Sequence, residues 1–67
     1  MNSHQFKGTW HEIKGEIKQR WGKLTDDDLK TIDGSLEKFA GTLQKKYGYT
    51  IDEANKTIES FFKKKHH

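Results

Sequence analysis

Four groups of side chains in this 67-residue sequence could do chemistry, and their spacing decides how far each can go. His4 and His11 are seven residues apart and would share one face of a helix, as two metal ligands might be asked to do. No third ligand stands near them, and a zinc site needs at least three protein donors. His66-His67 ends the sequence as a pair that either binds metal adventitiously or is an appended remnant. Asp26-Asp27-Asp28 gathers three carboxylates, but it lacks the spaced ligands, the glycine and the final acid of a calcium loop; capping of a helix is the better reading. Lysines form the last group: Lys63, Lys64 and Lys65 in one run, and Lys7, Lys14 and Lys18, which fall at about 80° to 120° on a helical wheel. These could hold a polyanion. No Ser/His/Asp arrangement, no glycine-rich phosphate loop and no cysteine is present, so the spacing proposes no catalytic residue, no cofactor and no metal centre.

Composition narrows the class further. Sixty-seven residues allow one domain, here 1–67, and a domain of this size buries roughly 60% of the surface its unfolded chain exposes. That leaves little stability and no room for a deep cleft. With 30% hydrophobic and 34% charged residues and no proline, the chain is very hydrophilic, yet its eight aromatics can anchor a core. The net charge of +3 is concentrated: three of the thirteen Lys/Arg stand at 63–65, leaving ten against ten Asp/Glu in residues 1–62. The body is therefore no basic platform, and a lysine run in a last helical turn also complements the helix macrodipole. The absence of cysteine fits a reducing cytoplasm. No signal-like start and no apolar run of about 18 residues is present, so a soluble, unprocessed chain is expected.

The elements that must position these groups are helical throughout. Phe6, Trp10, Ile13, Ile17 and Trp21 fall within one stripe of about 80°, which predicts a first helix from about Ser3 to Trp21. Gly22 stands where a left-handed C′ residue would end it, and Thr25 follows as an N-cap with the three aspartates at the positive end of a short second helix. Leu29 and Ile32 give that helix its apolar side. After Asp33-Gly34 a third helix carries Leu36, Phe39, Ala40, Leu43 and Tyr47, and Gly48 caps its end. Thr50 and Glu53 have capping-box spacing, and a fourth helix should bury Ile51, Ala54, Ile58, Phe61 and Phe62. Trp10 and Trp21 lie on the core stripe, so they read as core anchors rather than as stacking platforms for bases.

The six glycines form two triplets at seven-residue spacing, Gly8/Gly15/Gly22 and Gly34/Gly41/Gly48, offset by 26 positions. Residues 6–29 match 32–54 in their apolar and glycine register after a one-residue deletion, so the chain is a duplicated helical hairpin with halves at about 3–31 and 32–62. On the wheel Gly8, Gly15 and Gly22 fall near 200°, 180° and 160°, opposite the stripe. Gly8 and Gly34 stand near expected helix starts, where glycine is less costly. Gly15 and Gly41 have no such excuse. Three readings of this pair stand: they hold stability near its edge, they give a flat face to a partner helix or a second copy, or they are tolerated on a solvent face.

The run Trp21-Gly22-Lys23-Leu24-Thr25-Asp26-Asp27-Asp28-Leu29, preceded by Gly8-x-Trp10 and Lys14-Gly15-x-x-Lys18, resembles the CsbD-like family of small bacterial stress-response proteins. The resemblance continues through Ile32-x-Gly34, Gly41, Gln44, Tyr47-Gly48 and Ala54 and covers residues 2 to about 58; Phe61, Phe62 and the tail at 63–67 lie outside it. It implies an all-α fold, a small bundle of two orthogonally packed α-hairpins, accumulation under general stress and no established enzymatic activity. The expected protein is thus a cytoplasmic, non-enzymatic, protective or partner-binding one. The alternative is a module that docks nucleic acid, an acidic partner or a membrane surface through Lys7, Lys14, Lys18 and the basic tail.

Overall fold

The computed structural model describes residues 3–65, with side chains for residues 4–63. Four helices follow in order: α1 (Ser3–Arg20), α2 (Asp26–Ile32), α3 (Leu36–Tyr47) and α4 (Ile51–Lys65). Each boundary has a local cause. Thr25 has extended backbone and its hydroxyl accepts from the Asp28 N–H, while the Asp28 carboxylate accepts from the Thr25 N–H, which closes a capping box at the start of α2. Thr50 and Glu53 make the same reciprocal pair at 3.1 and 2.8 Å before α4. Ser35 caps α3 by accepting from the Lys38 N–H. Gly48, at φ 71°, ends α3 in the left-handed region, with its N–H donating to the Gln44 carbonyl.

Two glycines behave differently from the sequence expectation. Gly22 is not a left-handed cap: the positive-φ glycines among the described residues are Gly34 and Gly48. Trp21 still donates its N–H to the Ile17 carbonyl, and the chain then leaves α1 through a tight turn closed by Leu24 N–H to Trp21 carbonyl at 3.0 Å. That turn satisfies the Trp21 carbonyl without a left-handed residue and drops Leu24 into the core, where it is 1% exposed. Gly34 does more than sit near a helix start. It follows Asp33, itself left-handed at φ 40°, adopts φ 79° and is buried; a Cβ built on it would come within 3.2 Å of the Lys7 Cα. The α2–α3 turn is therefore laid directly on the backbone of α1, an approach that only glycine allows.

These turns make the two halves unequal. Gly8 is inside α1 whereas its repeat partner Gly34 lies outside α3, so α1 has 18 residues and α3 has 12. The second helices differ the other way, with seven residues in α2 and 15 in α4.

The core is a chain of aromatic contacts between helices. Phe6 stacks on Phe39 at 5.7 Å and meets Phe62 edge-on, and Trp21 meets Phe39 edge-on at 5.1 Å. Ile17, Leu24, Ile32, Leu43 and Ala54 fill the space between them, and Trp10, Ile13, Leu29, Ala40 and Ile58 complete the buried set. Leu36, Tyr47 and Phe61, expected inside, are half-buried and pack against the outside of this cluster; Phe62 rather than Phe61 takes the inner position on α4. Ile51, also expected inside, is 52% exposed. Helical side chains lean toward the helix N-terminus, so that of the first residue of α4 leans past the end of the core. No helix among the described residues is long and apolar enough to cross a membrane.

Candidate functional site

Three of the singled-out residues come together in one place. Lys14, Gly15 and Lys18 on α1 face Asp26, Leu29 and Lys30 on α2 across a groove of about 450 Å³, with Trp10 and Asp33 completing its lining. The seven-residue helix α2 positions the second wall, and its capping box fixes where that wall begins. Gly15 leaves the α1 side flat: a Cβ built there would meet nothing within 4 Å. At one point the walls are joined, because the Lys18 ammonium donates to the Asp26 carboxylate at 2.7 Å.

Lys7, Lys14 and Lys18 do not all line one depression. Lys7 lies on the neighbouring depression, lined by His4, Lys7, Asp33, Gly34 and Ser35, and Asp33 borders both. Thus Asp26 of α2 and Asp33 just beyond its end lie along the lysine edge of α1, together with Lys30, and the ion pair seen there joins Lys18 to Asp26. The hydrogen bond and charge of Lys18 hold the Asp26 carboxyl below the usual carboxylate range. Both groups are well exposed, so the pair contributes little stability.

The aspartate run divides its labour. Asp28 caps α2 and also accepts from Lys46 of α3 at 3.0 Å, tying α2 to α3. The Thr25 N–H is the main cause of its lowered pKa; burial opposes that shift and Lys46 adds to it. Asp26 and Asp28 thus have structural employment in different directions. Among the described residues no group of three or more His, Asp or Glu side chains could hold a metal ion. His4 and His11 are exposed on α1, and His66 and His67 lie outside the described residues. Lys63 is exposed on the last turn of α4, and the side chains of Lys64 and Lys65 are outside the described set.

Gly41 is exposed on α3 with nothing within 4 Å of a built Cβ, and it does not line the α1–α2 groove. The two glycines therefore share an environment but not a site.

Sequence reasoning missed a second cluster, where the ends of α1 and α3 meet. The Lys23 N–H donates to the Tyr47 Oη at 3.0 Å, and the Lys23 ammonium stands 5.1 Å from the centre of the same ring. Tyr49 stacks on Tyr47 at 5.5 Å and 19°, and the Arg20 guanidinium lies 5.1 Å from the Trp21 ring centre. The repeat gave a signal for this, since it pairs Trp21 with Tyr47 at equivalent helix ends. Trp21 is 1% exposed and its Nε1 has no hydrogen-bond partner.

A small four-helix, all-α domain with capped ends, an open groove and a cationic aromatic end defines the structural class. The chain belongs to the CsbD-like family, whose profile matches residues 4–56. It is 42% identical over 64 residues to the UPF0337 protein YjbJ of Escherichia coli O6:H1, covering 96% of this chain and 93% of that protein. It is 46% identical to a UPF0337 protein of Pseudomonas aeruginosa, over 91% of this chain and 94% of the relative. A UPF0337 protein of Protochlamydia amoebophila is 47% identical over 91% of this chain and 92% of its own length. No solved structure gives a significant match.

Proposed function

We propose that this protein is a non-enzymatic bacterial stress protein of the cytoplasm, which protects or contacts other molecules and keeps its own stability low in order to do so. Membership of the CsbD-like family supports the stress assignment. The observation that carries the mechanism is the environment of Gly15 and Gly41. Each sits inside a helix, on an exposed face, with no atom within 4 Å of the position a Cβ would occupy. Alanine would fit at both without strain, so the glycines lower helix stability by about 1 kcal/mol each and gain no packing in exchange. A domain of this size has roughly 3–5 kcal/mol to lose. The chain is therefore poised to loosen or reshape when water activity, ion content or a partner changes.

The reading is tested with the double variant Gly15→Ala/Gly41→Ala in a protection assay. A labile enzyme is dried or heated with the parent or the variant, and its recovered activity is measured. The variant should melt higher and protect less. Equal protection by a variant that melts higher would detach function from stability.

A further inference from the structure

We propose that the end of the bundle where α1 and α3 terminate is a binding surface for single-stranded nucleic acid. Its parts are Arg20, Lys23, Tyr47 and Tyr49, none of which lines the Gly15 groove. Tyr47 and Tyr49 form a stacked pair of half-buried rings, anchored at their inner side against the core. Their geometry is fixed from below, because the Lys23 backbone N–H holds the Tyr47 hydroxyl at 3.0 Å. Tyr47 is engaged by Tyr49 and by Lys23, so it is the Tyr49 ring, held in place by this stack, that would supply sequence-tolerant stacking for an unpaired base, which duplex DNA cannot use because its bases are already stacked.

The charges beside the rings have the sign a phosphate backbone requires. Lys23 stands over Tyr47 and Arg20 over Trp21, both 5.1 Å from the ring centres, and both side chains are exposed. Of the neighbouring acids, Asp28 pairs with Lys46 at 3.0 Å, and Glu53 accepts from the Thr50 N–H next to Tyr49 at 2.8 Å. Cations at helix C-termini complement the macrodipole, but the dipole gives no reason for an interleaved pair of stacked tyrosines. Rings beside cations are the combination that binds single strands, and this surface lies apart from the Lys7/Lys14/Lys18 edge, which among the described residues has no ring pair of this kind along its depressions. An acidic protein would need the cations but not the rings.

The inference does not rest on the low-stability reading, and its experiment separates the two. Fluorescence anisotropy of a labelled dT20 oligonucleotide is followed with the full chain at low salt, then across a salt series. Competitors are the same oligonucleotide as a duplex, polyglutamate, and vesicles of mixed phosphatidylcholine and phosphatidylserine. The expected result is binding to dT20 that unlabelled duplex, polyglutamate and vesicles displace poorly. Tyr49→Leu should weaken it roughly 5- to 150-fold, Tyr49→Phe should restore it, and Lys23→Gln should lower the salt slope by about 0.7. Gly15→Ala/Gly41→Ala should bind as the parent does. No binding at low salt, or equal competition by polyglutamate or vesicles, overturns the proposal. Should Tyr49→Leu lose its helical signal, the salt slope of Lys23→Gln decides alone: an unchanged slope overturns it.

Discussion

Replacing Gly15 and Gly41 together by alanine should raise the melting temperature of this protein by roughly 8–16 °C. The magnitude follows from three steps. Alanine in an exposed helix interior is favoured over glycine by about 1 kcal/mol, partly because it restricts the unfolded chain. The structure adds no opposing term at either position, since a built Cβ has no atom within 4 Å and neither glycine has positive φ. The two positions lie on different helices, α1 and α3, and a Cβ at either meets nothing within 4 Å, so their effects should add to about 2 kcal/mol. A domain of this length shifts by about 4–8 °C for each kcal/mol. The assay is a far-UV circular dichroism melt of the parent, both single variants and the double variant, with urea midpoints as a second readout. A control with opposite sign comes from the other repeat position: Gly34→Ala forces a side chain into φ 79° and against the Lys7 backbone at 3.2 Å, and should lose roughly 1–3 kcal/mol. An unchanged melting temperature in the double variant refutes the reasoning, because it would mean that these helix positions are not limiting stability at all.

Further outcomes are expected. The pKa values of Asp26 and Asp28 are held below the ordinary carboxylate value, so their contribution is in place above about pH 4 and is lost as pH falls through the lowered values. The gap between the melting temperatures of the parent and Asp28→Ala should therefore be widest near neutral pH and narrow as a pH series descends through the lowered Asp28 titration. Phe39→Ala removes the ring that contacts both Phe6 and Trp21 and should cost about 3–5 kcal/mol, as much as the whole stability; loss of the near-UV signal at room temperature checks it. Tyr47→Phe deletes the acceptor of the Lys23 N–H, and should cost about 0.5–1.5 kcal/mol while speeding hydrogen exchange at the Lys23 amide.

What the sequence made legible was the periodic part of the fold. A stripe from Phe6 to Trp21 specifies one buried face whatever packs on it, and the α1 boundary falls at Arg20, one residue short of the expected end. Turn geometry was much less legible. Gly22 and Gly48 are equivalent in the repeat, yet one turn closes through Leu24 N–H to Trp21 carbonyl and the other through a left-handed glycine. That difference depends on where Leu24 finds a pocket, which is a property of the assembled core. The surroundings of the lysine edge were illegible for a related reason: wheel angles placed Lys7, Lys14 and Lys18 together but could not show that Asp26 of α2 and Asp33 in the turn after it would line the same depressions. Nor could a wheel show that Lys23 would reach the Tyr47 hydroxyl across 24 residues of sequence.

The three glycine pairs of the duplication bear on where function resides, because their fates differ. Gly8 and Gly34 have diverged in role, one helical and one bearing the close approach of a turn to α1. Gly22 and Gly48 end their helices by different geometries. Gly15 and Gly41 alone occupy the same environment in both halves: mid-helix, exposed and surrounded by open space. Neither turn geometry nor backbone approach requires glycine there, so folding does not explain the pair. Selection for low stability would act on both sites alike, whereas selection for a docking face would favour Gly15, which borders the groove, over Gly41, which does not. The single variants separate these causes. Equal loss of protection from Gly15→Ala and Gly41→Ala points to stability, and loss confined to Gly15→Ala points to the groove.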